Sequence, residues 1–446
     1  MFGFKLTGFG LVLFFLGSTW VKAAGWEETK IGSQPYVTFE SFCAFYQFTP
    51  AAIPEKDPFE MTGAYGKLQL TPGSRDARWN GRRIWLSFPF VVTAESRGFI
   101  SKLDVIKLFD PLIRRKEMAP RRKLEGVIID AGHGGTDNGA SSRDGFFEKT
   151  GTLDTAKRLK ALLDVAGIPN KMTRSQDEFI LLEERASIAN KNSGWIFVSL
   201  HYNSGPSHAH GVETYALTPQ FSSSTGDSGR PTAKDRISEN GNANDALNLI
   251  LADSVHQEIT RLHSAEGDRG LKRARFVVLR KVKIPGVLVE GGFLTHKIDA
   301  RLISSGAYRQ KIAQAVANAV QNYRMLMLSS VENAPTTIQP ASKSVPLPKD
   351  TPMPAVSPSP VPTTPLSQAK PVGIALEKRD PAILPTPTRI PSTPVSEASP
   401  QLLLSKPLVI PVPPDPDTVA PIKEEAKPKD QPAGEVEEEK KNEPVR

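Results

Sequence analysis

The stretch Val127-Ile128-Ile129-Asp130-Ala131-Gly132-His133-Gly134-Gly135 joins an apolar strand to a glycine-rich loop that carries a histidine. A short apolar run bounded by glycine reads as a strand buried on both faces. Downstream, Leu153, Ala156, Leu159, Leu163 and Ala166 form a helical stripe, and Gly167 follows as its C-cap. Ile180 to Asn190 reads as a helix, Trp195 to Leu200 as a buried strand and Val212 to Leu217 as another. Leu247, Leu251, Val255, Ile259 and Leu262 recur at helical spacing. Phe276-Val-Val-Leu and Val287-Leu-Val read as strands, and Ala307 to Met325 as a long closing helix. Strands alternating with helices predict an α/β fold, a mostly parallel sheet flanked by helices, over residues 119–328.

Upstream, residues 25–118 read as a small α+β domain. Tyr36 begins a short strand that leads into a helix, and Lys67-Leu-Gln-Leu, Arg82 to Phe88 and Gly98-Phe-Ile are strand-like. Asn80-Gly81 is a hairpin signal, since a type I′ turn needs two residues at positive φ. Ser101 to Asp110 has a helical period, which Pro111 is expected to end. No cluster of acids, bases or metal ligands falls in this unit.

The chain has 446 residues, and its two ends differ from the middle. Residues 1–24 carry Lys5, an apolar run from Phe9 to Leu16 and small residues at the outer positions of Val21-Lys22-Ala23. That run is too short for a confident span, so the segment reads as a cleaved signal peptide, with an uncleaved anchor as the alternative. No cysteine stands there to take a lipid. Residues 329–446 are crowded with Pro, Ser, Thr, Lys and Glu and read as a disordered Pro-rich tail that serves as a spacer or contact segment.

With the single cysteine Cys43 an exported chain has no internal disulfide, so stability must come from the core; Cys43 sits in an apolar context and reads as a small buried hydrophobe. The net charge of +8 suits attraction to an anionic polymer. The basic residues are dispersed, however, and the cluster Arg114 to Lys123 reads first as a solvated linker. No nucleic-acid module is present, and no stable membrane insertion is expected once the leader is removed.

Four residues carry the chemistry. His133, Glu148, His201 and Glu290 each stand just past a predicted buried strand or at the start of the helix after one. Open α/β sheets place their ligands at the carboxyl ends of strands, so these four can converge. Two imidazoles and a carboxylate form a set suited to Zn²⁺ with one open position, and a spare glutamate can act as base. Each has a plainer reading. A histidine after a strand is more often structural, and Glu148 at a helix start could be a cap partner. Glu290 closes an apolar strand, where a buried carboxylate needs a strong partner. Together they predict a zinc hydrolase.

The chain is similar to the zinc-dependent N-acetylmuramoyl-L-alanine amidases of peptidoglycan, amidase type 3. The motifs that carry the resemblance are Ile129 to Ala140, Glu148-Lys149, Thr173 to Asp177, Ser199 to Asn203, Gly211 to Tyr215, Asp268-Arg-Gly270 with Arg275 to Leu279, and Leu288 to Phe293, all in family order. The resemblance implies His133, Glu148 and His201 as zinc ligands and Glu290 as the catalytic glutamate. It implies cleavage of the amide between N-acetylmuramic acid and L-alanine, for wall remodelling or daughter-cell separation. Peptidoglycan is the implied partner, envelope or division proteins are further candidates, and the location is periplasmic or secreted. The upstream unit weakly resembles the amine-oxidase N-terminal-like domain found beside other cell-wall proteins.

Two departures from the family stand out. Tyr202 replaces a commonly small residue, so pocket width is expected to differ. The insert Thr218–Asp245 is shorter than the blocking segment of regulated members, and it reads either as a wall of the site or as a solvated excursion. Asp227, Asp235 and Glu239 within it are candidates to approach the metal.

Outside the site, His208 and His210 read as exposed loop residues, His256 and His263 as surface residues, and His296 as a cap or loop residue. Arg174, Asp177 and Arg185 read as internal ion pairs, while Arg269 either faces substrate or is structural. Two other functions stay open: a zinc peptidase acting on stem peptides, and a non-catalytic wall-binding protein.

Overall fold

In the computed structural model, residues 26–119, 123–227 and 229–332 are described. The leader at 1–24 and the tail from 333 lie outside them.

The first strands are β1 (Glu28–Ile31) and β2 (Gln34–Thr38), followed by helix α1 (Phe39–Tyr46). Thr38 caps α1, its Oγ1 accepting from the Ser41 amide. Next come β3 (Phe59–Gly63), β4 (Gly66–Leu70), β5 (Asp76–Trp79), β6 (Arg82–Trp85), β7 (Val91–Val92) and β8 (Gly98–Ser101). The hairpin expected at Asn80-Gly81 joins β5 to β6, with φ of 49° and 80° at the two turn residues. Cys43 is fully buried, as its context implied.

Pro111 does not end the helical run. A π-type turn at Val105–Phe109 precedes it, and Asp110–Ile113 and Arg115–Met118 follow. Pro111 thus falls in the first turn of a new helical piece, where a missing N–H costs little.

The α/β region consists of β9 (Gly126–Ala131), α2 (Glu148–Val165), β10 (Asn170–Met172), α3 (Leu182–Asn190), β11 (Trp195–Asn203), β12 (Val212–Leu217), α4 (Asp245–Thr260), β13 (Asp268–Ala274), α5 (Val277–Lys281), β14 (Gly286–Phe293), α6 (Lys297–Ser304) and α7 (Gly306–Glu332). The strands pair in the order β10-β9-β11-β14-β12-β13-β6-β5-β4-β3. Pairings from β10 to β14 are parallel, and β12 is antiparallel to β14 but parallel to β13. The upstream strands β3 to β6 extend this sheet, because β6 pairs with β13 at Ile84 and Leu271. The four strands β1-β2-β8-β7 form a second small sheet. The predicted α/β class is what the chain adopts. One apolar core runs through both regions, from Phe42, Phe90 and Phe109 to Val127, Leu159, Val255 and Val316.

Two expectations fail here for tertiary reasons. Phe276 to Leu279 belongs to helix α5 and its N-cap, not to a strand. An apolar run of four residues fits either period, and Val278 and Leu279 bury against Leu217, Ile284 and Leu288. His256 is buried rather than at the surface, because α4 is covered on most of its circumference. Its ring joins Thr214 Oγ1 at 3.0 Å and Asp268 at 2.9 Å. Among the described residues, no helix is long and apolar enough to cross a membrane.

Candidate metal centre

β9 delivers the first histidine. The chain leaves the strand at Ala131, and His133 adopts φ 59°, unusual for a side chain with a Cβ. Two buried arginines hold the loop in this shape. Arg185 donates to Asp130 Oδ1 (2.8 Å), to the Ala131 carbonyl (2.6 Å) and to the His133 carbonyl (2.7 Å). Arg174 donates to the carbonyls of Ala131 (2.9 Å) and Gly132 (2.8 Å). Arg185–Asp130 is the internal ion pair expected, whereas Arg174 binds carbonyls and Asp177 pairs with Lys149 at 2.9 Å. Gly132 has to lack a side chain, since a Cβ there would lie 2.3 Å from the His201 ring.

Glu148 is the first residue of α2, whose N-cap Phe147 supplies no side-chain bond. It does not act as a cap partner. Its Oε1 meets His133 Nε2 at 3.1 Å and His201 Nδ1 at 2.9 Å. The same oxygen accepts from the Tyr202 amide at 3.1 Å, and Oε2 accepts from the Ala140 amide at 2.8 Å. The ligand-type atoms of His133, Glu148 and His201 all lie within 4.8 Å of one another, so the three can hold a metal ion.

His201 and Glu290 lie within their strands rather than just past them. β11 continues to Asn203 and β14 to Phe293, and the two residues are direct partners across the pair. Glu290 is buried, and its Oε2 has no hydrogen-bond partner among the described residues. Burial first, then the charges of Glu148 and Glu213, holds its carboxyl well above the ordinary carboxylate range. Glu148 is the opposite case. Burial alone would raise it, but hydrogen bonds with His133 and His201 hold it below that range. His133 is lowered by burial and raised more by Glu148 and Asp137, with a net rise.

Asp137 was not singled out from sequence. Its Oδ2 lies 2.8 Å from His133 Nδ1, the ring nitrogen facing away from Glu148. An acid four residues after a loop histidine was the available signal, but only the fold of the loop shows that it turns back. Tyr202 does not reach the site, so the expected difference in pocket width does not come from this side chain. Alternation sends it to the other side of the sheet, where its hydroxyl lies 2.6 Å from Thr155 Oγ1. A cavity of about 480 Å³ opens beside His133 and His201, walled on the far side by Phe179, Ile180 and Phe276.

None of the described residues of the insert lines that cavity. Asp235 pairs with Arg275 at 2.9 Å, Glu239 with Arg280 at 3.0 Å, and Asp227 accepts from Arg75 through its backbone. Asp235 and Glu239 are committed to arginines, and none of the three acids joins the group of His133, Glu148 and His201. The insert acts at one remove, since Arg275 does line the cavity.

The other histidines mostly fit their sequence reading. His208 is exposed, His210 stacks against His296 at 5.0 Å, and His296 caps α6. His263 is half-buried, 2.7 Å from the Tyr308 hydroxyl.

Residues 127–322 match the family model described as N-acetylmuramoyl-L-alanine amidase. Over 232 residues the chain is 34% identical to N-acetylmuramoyl-L-alanine amidase AmiA of Escherichia coli, spanning 46% of this chain and 79% of that protein. The chain belongs to the N-acetylmuramoyl-L-alanine amidase family. It is also 37% identical over 202 residues to the uncharacterised protein YqiI of Bacillus subtilis, covering 45% of this chain and 86% of that one. Among solved structures it is similar to amidase AmiC2 of Nostoc punctiforme, at 32% identity and a TM-score of 0.36, covering 44% of this chain and 95% of that one. The amidase match contains all four residues His133, Glu148, His201 and Glu290.

Proposed function

We propose that the chain is a zinc-dependent amidase that cleaves the bond between N-acetylmuramic acid and L-alanine in peptidoglycan, with residues 119–328 carrying the catalytic site and 25–118 extending its sheet and core rather than standing as a separate domain. Wall remodelling or daughter-cell separation is the process served, in the periplasm or outside the cell after export, with envelope or division proteins as partners. The observation that carries this reading is the convergence of two imidazole nitrogens on one oxygen of Glu148, beside Glu290, whose Oε2 has no hydrogen-bond partner among the described residues.

The donor set fits zinc. His133, Glu148 and His201 supply two nitrogens and a carboxylate, the mixture found at catalytic zinc sites that keep one position open. Asp137 on the far nitrogen of His133 is the outer carboxylate that fixes a ligand's tautomer and orientation. A bound zinc ion supplies Lewis acidity, polarising the scissile carbonyl and strengthening water as a nucleophile near neutral pH.

The protein's own residues do the rest. Glu290 takes a proton from the attacking water and returns it to the departing amine of L-alanine as the C–N bond breaks. Burial and the charges of Glu148 and Glu213 raise its carboxyl well above the ordinary range, which favours the protonated form that returns the proton. Arg174 and Arg185 keep the His133 loop from relaxing, since each holds two or more of its carbonyls.

Digestion of purified sacculi, with mass spectrometry of the products, tests the reading. Intact stem peptides with free L-alanine amino ends and peptide-free glycan are expected, and a chelator should abolish their release. Peptides cut within the stem would make the protein a zinc peptidase. Absence of any release would leave a wall-binding protein.

A further inference from the structure

The sheet carries a second row of charged side chains, beyond those the hydrolysis uses. Glu213 on β12 lies opposite Glu290 on β14, and Tyr215 on β12 lies opposite Lys272 on β13. β13 then pairs with β6 at Leu271 and Ile84, both buried. Side chains alternate along a strand, so Lys272, Arg83 and Trp85 occupy the face opposite Leu271 and Ile84. Arg78 and Asp76 on β5 join them as partners of Arg83 and Trp85. Together with Arg269, this face carries four cations, with the carboxylates of Glu213, Glu290, Asp76 and Asp268 beside them.

Arg269 has the most specific arrangement in the row. Its Nε donates to Glu213 Oε1 at 2.6 Å, and its guanidinium carbon lies 4.8 Å from the centre of the Phe293 ring. Trp85 Nε1 donates to its backbone carbonyl at 3.1 Å. The side chain is 34% exposed, and neither Nη has a hydrogen-bond partner among the described residues. A purely structural pair would not need this residue. Glu213 already receives Lys272 Nζ, the Tyr215 hydroxyl and Asn203 Nδ2, so its charge is met without Arg269. Glu213 fixes the guanidinium by one edge and leaves the other edge open. A planar cation with two free N–H groups suits a carboxylate, which it can grip with two parallel bonds.

We propose that Arg269, backed by Lys272, binds a carboxylate on the peptide side of the scissile amide. This rests on the reading of the chain as a peptidoglycan amidase and specifies which part of that substrate it recognises. Arg269 is held on the strand pair beyond Glu290, two strand spacings away at roughly 4.8 Å each. An extended peptide advances about 3.5 Å per residue, which places the bound carboxylate roughly two to three residues from the cut. Arg83, next in the row, is tied to Asp76 at 2.6 Å and leaves Arg269 as the open cation nearest Glu290.

The test compares a soluble muramoyl peptide bearing free carboxylates with the same compound amidated at those carboxylates. Zinc-loaded full-length protein, Arg269→Ala and Arg269→Lys are each measured by calorimetric binding and by hydrolysis with product identification. Wild type should bind the free acid about tenfold more tightly than the amide, a charge-assisted pair being worth that much. Arg269→Ala should lose this preference with unchanged zinc content and melting temperature, since Lys272 still serves Glu213. Arg269→Lys should keep part of it. Equal affinity of wild type for acid and amide overturns the proposal, and so does a preference that survives in Arg269→Ala. Hydrolysis at another bond, or none, would sink the amidase reading alone, because the binding comparison still judges Arg269.

Discussion

Glu213 and Glu290 face one another across adjacent antiparallel strands, and their surroundings are opposite. Glu213 is met by Asn203, Tyr215, Arg269 and Lys272, whereas Glu290 Oε2 is met by nothing among the described residues. Burial pushes both up, but Lys272 and the other donors bring Glu213 below the ordinary range, while Glu290 stays well above it. Two carboxyls driven apart in this way suit one fixed anion and one proton carrier, the role we propose for Glu290.

Replacing Glu290 with Gln keeps shape and volume but removes the proton acceptor. We expect hydrolysis of sacculi to fall by about 10²- to 10⁴-fold. Metal content should be unchanged, since His133, Glu148 and His201 remain. Metal analysis alongside a release assay checks both halves, and full activity in this variant would remove Glu290 from the chemistry.

The metal reading separates inner from outer residues. His133→Ala and His201→Ala should each lose stoichiometric zinc on dialysis. Asp137→Asn keeps every ligand atom but weakens the hold on His133, and should lower zinc affinity by about 10- to 100-fold in a chelator competition. An affinity equal to wild type would leave the 2.8 Å contact without a role.

Arg185 is 2% exposed and ties Asp130, Ala131 and His133 together. Arg185→Met leaves Asp130 with only Thr173 and Ser199, leaves the Ala131 carbonyl to Arg174, and removes the donor to the His133 and Ile180 carbonyls. Breaking a buried pair by removing one partner costs about 3–5 kcal/mol, so the urea midpoint should drop accordingly. A drop no larger than that of a surface arginine would show that the loop holds itself.

Asp253 on α4 is paired with Arg82 at 3.0 Å and Arg115 at 3.4 Å, both from the upstream region. Burial raises its carboxyl, but the two arginines outweigh that and hold it below the ordinary range. A carboxyl depressed in the folded state contributes stability that is fully present above its unfolded pKa, near about 3.9, and is lost as pH falls toward its folded value. The stability gap between wild type and Asp253→Asn should therefore be greatest near neutrality and close below about pH 4. Urea titrations across that range measure it. A gap independent of pH would mean that charge at Asp253 is not what joins the regions.

The residues that meet at the centre were legible because each sits in a strong local pattern. Apolar runs ending in His133, His201 and Glu290 mark buried strands, and Glu148 opens a helix with a clear stripe. Asn80-Gly81 likewise announced its hairpin by backbone chemistry alone. Phe276 to Leu279 was misread because four apolar residues satisfy both periods, and burial against Leu288 decides between them. His256 was misread because a helix seen by itself shows one apolar stripe, whereas α4 is enclosed on several sides.

The sequence by itself determined most of the strands and helices, and that two histidines and Glu290 stand near strand ends while Glu148 opens a helix. Those are properties of neighbours within a few positions, set by side-chain period and turn chemistry. Only the tertiary structure decided that β12 enters antiparallel between β14 and β13, bringing Glu213 opposite Glu290, and that Asp137 turns back onto His133. It alone extended the sheet from β13 into β6, giving Arg269 a neighbour in Trp85. Pairings between distant segments depend on the summed packing of both partners, and no local window of residues contains that sum.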